Sequence, residues 1–187
     1  MRFVTFERDG GRSYGVLVDD AVVDLRRVDP GLPETLLDLL QGGAAARERA
    51  QAASRSADAQ ARLSLDAVHL LAPIPHPDKI LCVGLNYRDH AAESNIAPPD
   101  YPTIFAKYSN TVIGPRDPIV LPSVTNQVDY EGELGVVIGR RVRGASEADA
   151  LSYVAGYLVF NDVSARDYQG RTSQWTIGKS FDTFAPM

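Results

Sequence analysis

The chain has 187 residues, 44% of them hydrophobic, and a formal net charge of −5. That length buries a real core and suits one globular domain, or one domain plus a small appendage. The mild acidity and the absence of a dense Lys/Arg cluster exclude nucleic acid as the expected partner, and no apolar run reaches the roughly 18 residues of a membrane helix.

The opening MRFVTFERDGG lacks the apolar core of a signal peptide. The single cysteine, Cys82, excludes an internal disulfide framework and reads as a small buried hydrophobe. A cytoplasmic protein fits these features.

Residues 2–25 predict short strands, RFVTFE, YGVLV and AVVDL, with Asp9-Gly10-Gly11 as hairpin chemistry. LPETLLDLLQGG predicts a helix stopped by Gly42 and Gly43. The Ala/Arg/Gln-rich stretch after it predicts a solvated helix or helical linker. His69 falls in a short apolar strand with no ligand partners at useful spacing. APIPHPDK, with Pro73, Pro75 and Pro77, predicts a linker in which His76 is a solvated loop residue. The expected organisation is therefore a small α+β unit over 1–71, a linker over 72–78 and a β-rich unit over 79–187 that carries the chemistry.

In the second unit KILCVG predicts a strand and NYRDHAAES a helix, which APPDYP breaks. TIFAKY and DPIVLP look strand-like, and 128–139 predicts one long strand. Ser146 with Asp149 predicts a cap for EADALSYV. AGYLVFND predicts another strand, ending at Asn161 and Asp162.

The long strand raises a chemical question. Successive side chains of a strand alternate between faces. Tyr130, Gly132, Leu134, Val136 and Ile138 share one face, and Glu131 and Glu133 share the other with Gly135 and Val137. Two like charges on a half-buried face repel unless something positive lies between them. Water, a basic side chain or a metal could serve. Asp162, at the end of the next apolar strand, offers a third carboxylate. Three oxygen donors suit a hard divalent ion, Mg²⁺, Mn²⁺ or Ca²⁺, while a solvated E-x-E pair is the plain alternative.

Two other groups draw notice. His90 and Glu93, at i and i+3, share a helix face, as a general base and its orienting carboxylate require, or as an ordinary surface ion pair would. Gly84 before them lets backbone approach a ligand. The polar stretch after Asp162 holds Arg166, Gln169 and Lys179. Lys179 suits a Schiff base or a fixed cation, the latter favoured beside an oxygen-ligated metal.

Taken in order, CVGLNYRDHA, VDYEGELGVVIG, GYLVFNDVSARDYQ and GKSFDTFAP resemble the fumarylacetoacetate hydrolase family, in its acylpyruvate hydrolase and hydroxyheptadienedioate isomerase-like branch. The resemblance implies an α+β, β-rich fold: a mixed β-sheet roll around the site, preceded by a small α+β domain, often as a homodimer. It implies a metal on Glu131, Glu133 and Asp162, a His90–Glu93 pair on a lid segment, and Gln169 and Lys179 facing substrate, with Arg166 beside them. It implies a small-molecule keto acid as substrate and a role in aromatic catabolism. The reaction expected is cleavage of the C–C bond of an acylpyruvate by water that His90 deprotonates. The metal and Lys179 stabilise the pyruvate-type enolate that leaves. Isomerisation or decarboxylation at the same site is the nearest alternative, and a non-catalytic metal-binding member is the alternative of another class. Members of the family run on past the point matching Met187, so the chain is expected to be shortened at its C-terminus.

Overall fold

The computed structural model describes residues 1–89, 97 and 99–187. His90 and Glu93 lie outside the described residues. The architecture is α+β.

Strands β1 (Arg2–Arg8), β2 (Gly11–Val18), β3 (Ala21–Asp24), β4 (Arg62–Ser64) and β5 (His69–Leu71) form one antiparallel sheet in the order β4-β3-β2-β1-β5. The β1–β2 turn is two residues, Asp9 and Gly10, at φ 52° and 76°. Two successive left-handed residues match the right-handed twist of a tight hairpin. Helices α1 (Leu25–Val28), α2 (Leu36–Gln41) and α3 (Gly43–Ser56) follow β3. Thr35 caps α2 by accepting from the Asp38 amide at 3.1 Å. Gly42 ends α2, but Gly43 starts α3 instead of closing the helical region.

One face of this sheet packs Tyr14, Val16 and Val23 against Leu25, Leu36 and Leu39. The expected solvated helix is α3, and it is not wholly solvated. Ala50 and Ala53 sit three apart and enter the same core. A stripe of small residues is enough to dock a helix whose other faces are charged. The opposite sheet face buries Phe6, Val22, Leu63 and Val68. The Pro-rich 72–78 stretch has no helix or strand, yet it is held to the sheet. The Thr5 hydroxyl donates to the Pro73 carbonyl at 2.7 Å, and Ala72 is buried.

The remaining strands form four two-stranded pairings among the described residues. β6 (Ile80–Gly84) pairs with β7 (Thr103–Lys107), β9 (Val128–Asp129) with β12 (Ser164–Ala165), and β10 (Gly132–Ile138) with β11 (Val154–Asn161), all antiparallel. β8 (Val112–Ile113) pairs with β13 (Ala185–Pro186) in parallel. The pairings are thus mixed, as expected, but divided rather than joined in one roll. Small clusters around Cys82 and Phe160, and around Val163 and Phe184, fill the space between them.

Two local expectations are corrected. The stretch DPIVLP forms no strand. The strand expected over 128–139 breaks at Tyr130 and Glu131, because β9 pairs with β12 and β10 turns to pair with β11. The alternation survives the break. Tyr130, Leu134, Val136 and Ile138 face outward, while Glu131, Glu133, Gly135 and Val137 are turned inward.

The two halves touch. Val137 and Ala155 pack against the core of the first sheet. His69, expected without a ligand partner, stands 2.6 Å from the Asp117 carboxylate. Beside it a Cβ on Gly114 would fall 2.3 Å from the Leu70 carbonyl oxygen, so only glycine lets this turn close on β5.

Candidate metal centre

The register of β10 against β11 builds the site. Gly132 lies opposite Asn161, so the next residues outward, Glu131 and Asp162, face each other across the strand ends. The Asp162 amide donates to the Glu131 carbonyl at 2.9 Å, and the Glu131 amide donates to Asn161 Oδ1 at 3.0 Å. Glu133 follows on the same face. Oxygens of Glu131, Glu133 and Asp162 lie within 4.8 Å of one another. Asp162 is fully buried, and the two glutamates are partly buried.

Lysine fills part of the gap between these charges. Lys179 Nζ donates to Glu131 Oε1 at 2.9 Å and to Asp162 Oδ2 at 2.8 Å. Its position depends on glycine. Gly178 precedes it in the helical turn Thr176–Lys179, where a Cβ would stand 2.4 Å from the Gln169 amide nitrogen. That close approach brings the turn against the helical turn Arg166–Gln169. Lys179 is buried and committed to two carboxylates, which is the setting of a fixed cation.

Sequence reasoning missed three participants. Lys107, at the end of β7, is buried and donates to Asp162 Oδ1 at 2.6 Å and to the Val163 carbonyl at 3.0 Å. Its signal was present: a lysine directly after the apolar run Ile104-Phe105-Ala106. Ser164 donates through one hydroxyl toward Glu131 Oε1 at 3.0 Å and the Asp162 carbonyl at 2.9 Å. Asp129 accepts from Arg166 Nε and Nη2 at 3.0 and 2.7 Å. A serine and an aspartate in a polar stretch gave no distinguishing signal. The structure brings Arg166 to Glu131, and Gln169 to Arg166. Arg166 Nη1 donates both to Glu131 Oε1 and to Gln169 Oε1. Gly84 backs onto protein: a Cβ there would meet the Trp175 ring at 2.4 Å.

The electrostatics divide the three carboxylates. Burial raises the Glu131 pKa, but Lys179 and Arg166 outweigh it and hold the group below its ordinary value. The Glu133 carboxylate accepts no hydrogen bond among the described residues, and the charges of Lys179 and Lys107, which lower its pKa, are outweighed. Burial, then the charges of Asp162 and Glu131, push it up to about 7. Burial also lowers the Lys107 pKa against the pull of Asp162, and it pushes the Cys82 thiol up to about 12, which fits a buried hydrophobe.

The donor set fits a hard divalent cation. Every candidate ligand atom is a carboxylate oxygen. Among the described residues the three donors on Glu131 all use Oε1 and none uses Oε2. Glu133 is a carboxylate in need of positive charge. No helix among the described residues is long and apolar enough to cross a membrane.

Comparison with known proteins agrees with the geometry. Residues 79–187 match the family described as "Fumarylacetoacetate (FAA) hydrolase C-terminal". The chain is 45% identical over 174 residues to a mitochondrial oxaloacetate tautomerase, Fahd2a, of Rattus norvegicus, covering 91% of this chain and 54% of the relative. It is 42% identical over 193 residues to a mitochondrial oxaloacetate tautomerase of Xenopus laevis, covering 100% and 60%. The chain thus spans about half the length of the curated relatives it matches. The cytoplasmic placement expected from sequence stands against the mitochondrial names of these relatives. Among solved structures, a fumarylacetoacetate hydrolase of Exiguobacterium antarcticum superposes with TM-score 0.79 at 35% identity, over 100% of this chain and 64% of that one. A maleylpyruvate hydrolase of Sphingobium sp. SYK-6, in complex with manganese(II) and pyruvate, superposes with TM-score 0.78 at 30% identity, over 100% and 64%. The chain belongs to the fumarylacetoacetate hydrolase family.

Proposed function

We propose that this chain carries a divalent-metal-dependent site that converts a 2-keto acid through its enolate, with Glu131, Glu133 and Asp162 as ligands for Mg²⁺ or Mn²⁺. One observation carries the reading: three carboxylate oxygens within 4.8 Å, with a buried lysine beside them. A bound divalent ion would supply a Lewis acid for the keto acid and its enolate. Lys179 keeps a fixed positive charge beside the place where negative charge develops, in a buried setting where charge acts strongly. Arg166 and Ser164 hold Glu131 in place, and Lys107 neutralises Asp162. Gln169, bonded to Arg166, faces the substrate side of this network. His90, oriented by Glu93, supplies the proton-transfer group. In this reading 1–71 is a supporting unit, 72–78 its connection and 79–187 the chemical unit. A homodimer belongs to the proposal, supported by the apolar outer face of β10 and β11, where Leu134 is 64% and Val159 81% exposed.

Two outcomes of the enolate are distinguished. Tautomerisation of oxaloacetate needs only proton transfer and is favoured by the two named relatives. Hydrolysis of an acylpyruvate needs an activated water as well, and is favoured by the likeness to a maleylpyruvate hydrolase. The test assays oxaloacetate tautomerisation and decarboxylation, acylpyruvate hydrolysis and hydroxymuconate isomerisation with Mg²⁺, with Mn²⁺ and with EDTA. Turnover of at least one substrate that EDTA abolishes is expected. Turnover indifferent to EDTA would remove the metal from the proposal.

A further inference from the structure

The three candidate ligands are held differently. Glu131 accepts from Lys179, Arg166 and Ser164, and Asp162 from Lys107 and Lys179. The Glu133 carboxylate accepts no hydrogen bond among the described residues, and it is placed there through its backbone. That backbone is gripped from both edges of β10. On one edge runs the ladder to β11, where Glu133 lies opposite Phe160. Asp162 donates to the Glu131 carbonyl, so odd-numbered residues here turn their backbone groups toward β11. Along an antiparallel strand the even-numbered ones must then turn theirs to the other edge.

Leu134 is the first of these after Glu133. Its N–H points at the edge away from β11 and donates to the Tyr87 hydroxyl oxygen at 2.8 Å. This amide belongs to the peptide bond that joins Glu133 to Leu134. Tyr87 is 41% exposed, and its place is set by the chain that leads to it. It follows β6 after Leu85, a non-glycine residue at φ 57°, and after Gly84, which lies against the Trp175 ring. Trp175 in turn meets Phe105 edge-on at 5.5 Å between centroids. Packing thus holds the end of β6, and the Tyr87 hydroxyl, three residues on, links it to the peptide beneath Glu133.

We propose that Tyr87 is a positioning residue for the metal centre: its hydroxyl fixes the Glu133–Leu134 peptide and thereby aims the ligand whose carboxylate accepts no hydrogen bond among the described residues. This rests on the metal reading given above. Partners that orient metal ligands cost about 10–100-fold in affinity when removed. Tyr87 acts through backbone rather than on the carboxylate, which points to the lower end, about tenfold.

The test compares the full chain with its Tyr87→Phe variant, which keeps the ring and removes only the hydroxyl. Two quantities are read: amide hydrogen exchange at Leu134 by NMR, and Mn²⁺ affinity by the electron spin resonance signal of the free ion. Exchange at Leu134 should speed up about tenfold or more, while Val136, which faces the same edge, keeps its rate. Mn²⁺ binding should weaken about tenfold at an unchanged melting temperature. Tyr130→Phe, on an exposed neighbour, should change neither. Unchanged Leu134 exchange in Tyr87→Phe overturns the inference, and so does faster exchange with Mn²⁺ affinity within twofold of the parent. A parent chain that binds no Mn²⁺ is a different result: it overturns the metal reading itself, and the inference falls with it.

Discussion

Lys179 Nζ lies 2.8 Å from Asp162 Oδ2, and the two side chains are only 2% and 1% exposed. A third buried group, the Lys107 ammonium, holds the other oxygen of the same carboxylate at 2.6 Å. One aspartate between two lysines is a compact charged unit, and Glu131 and Glu133 complete it. Buried ionic groups of this kind are costly to desolvate and survive only when paired. Removing members one at a time therefore gives distinct outcomes.

Glu131→Gln keeps the size of the side chain and loses the charge that holds a hard cation. Millimolar Mg²⁺ should raise the melting temperature of the parent chain, because a ligand bound only to the folded state stabilises it by mass action. The same addition should leave Glu131→Gln unshifted in calorimetry. An equal shift in both would take Glu131 out of the ligand set.

Glu133 makes metal-free stability depend on pH. Its pKa moves from 4.5 to about 7 in the fold, so the folded chain holds this proton more tightly than the unfolded chain does. The stability it contributes is fully present below 4.5 and is lost as pH rises through about 7. Allowing for the partial exposure of the group, the loss is about 1–2 kcal/mol. Glu133→Gln should remove this loss and be more stable than the parent in metal-free urea unfolding at about pH 8, with the gain vanishing at about pH 4. The same proton competes with metal, so Mn²⁺ affinity of the parent should fall by up to about tenfold per pH unit below neutrality. A flat pH profile in both measurements would contradict the assignment.

Lys107→Met keeps the apolar stem and removes the ammonium. Asp162 loses one of its two cations inside the protein, and breaking such a buried pair costs about 3–5 kcal/mol. Metal-free urea unfolding should show a loss of that order. Mn²⁺ affinity should not fall, since a competing positive charge has gone. A drop in affinity with little change in stability would mean that Lys107 places Asp162 rather than neutralises it.

His90→Ala separates the possible reactions. Loss of a general base costs about 10²–10⁴-fold in a step that needs it. Acylpyruvate hydrolysis requires an activated water, whereas decarboxylation of oxaloacetate mainly requires stabilisation of the enolate. Hydrolysis should suffer the full loss and decarboxylation much less, while Glu133→Gln should impair both. Equal losses for His90→Ala in steady-state assays would assign the histidine to substrate binding.

The sequence by itself determined the elements whose signals are local. Period-two alternation marked Glu131 and Glu133 as sharing a face, Asp9-Gly10 marked a tight hairpin, and Ser146 marked a helix start, where its hydroxyl accepts from the Asp149 amide at 3.2 Å. The order of four motifs was enough to suggest the family. Tertiary structure alone decided which positive group meets which carboxylate. Lys107 is 55 residues from Asp162 in the chain, and Lys179 is 48 from Glu131. No periodicity encodes such pairings; they follow from the β10–β11 register and from Gly178 letting one helical turn approach another. Hydrogen bonding across the fold likewise separated the two glutamates. The pattern makes them equivalent, but three donors converge on Glu131 while none among the described residues reaches the Glu133 carboxylate, because a hydrogen-bond partner is chosen by distance in space and not by spacing in sequence.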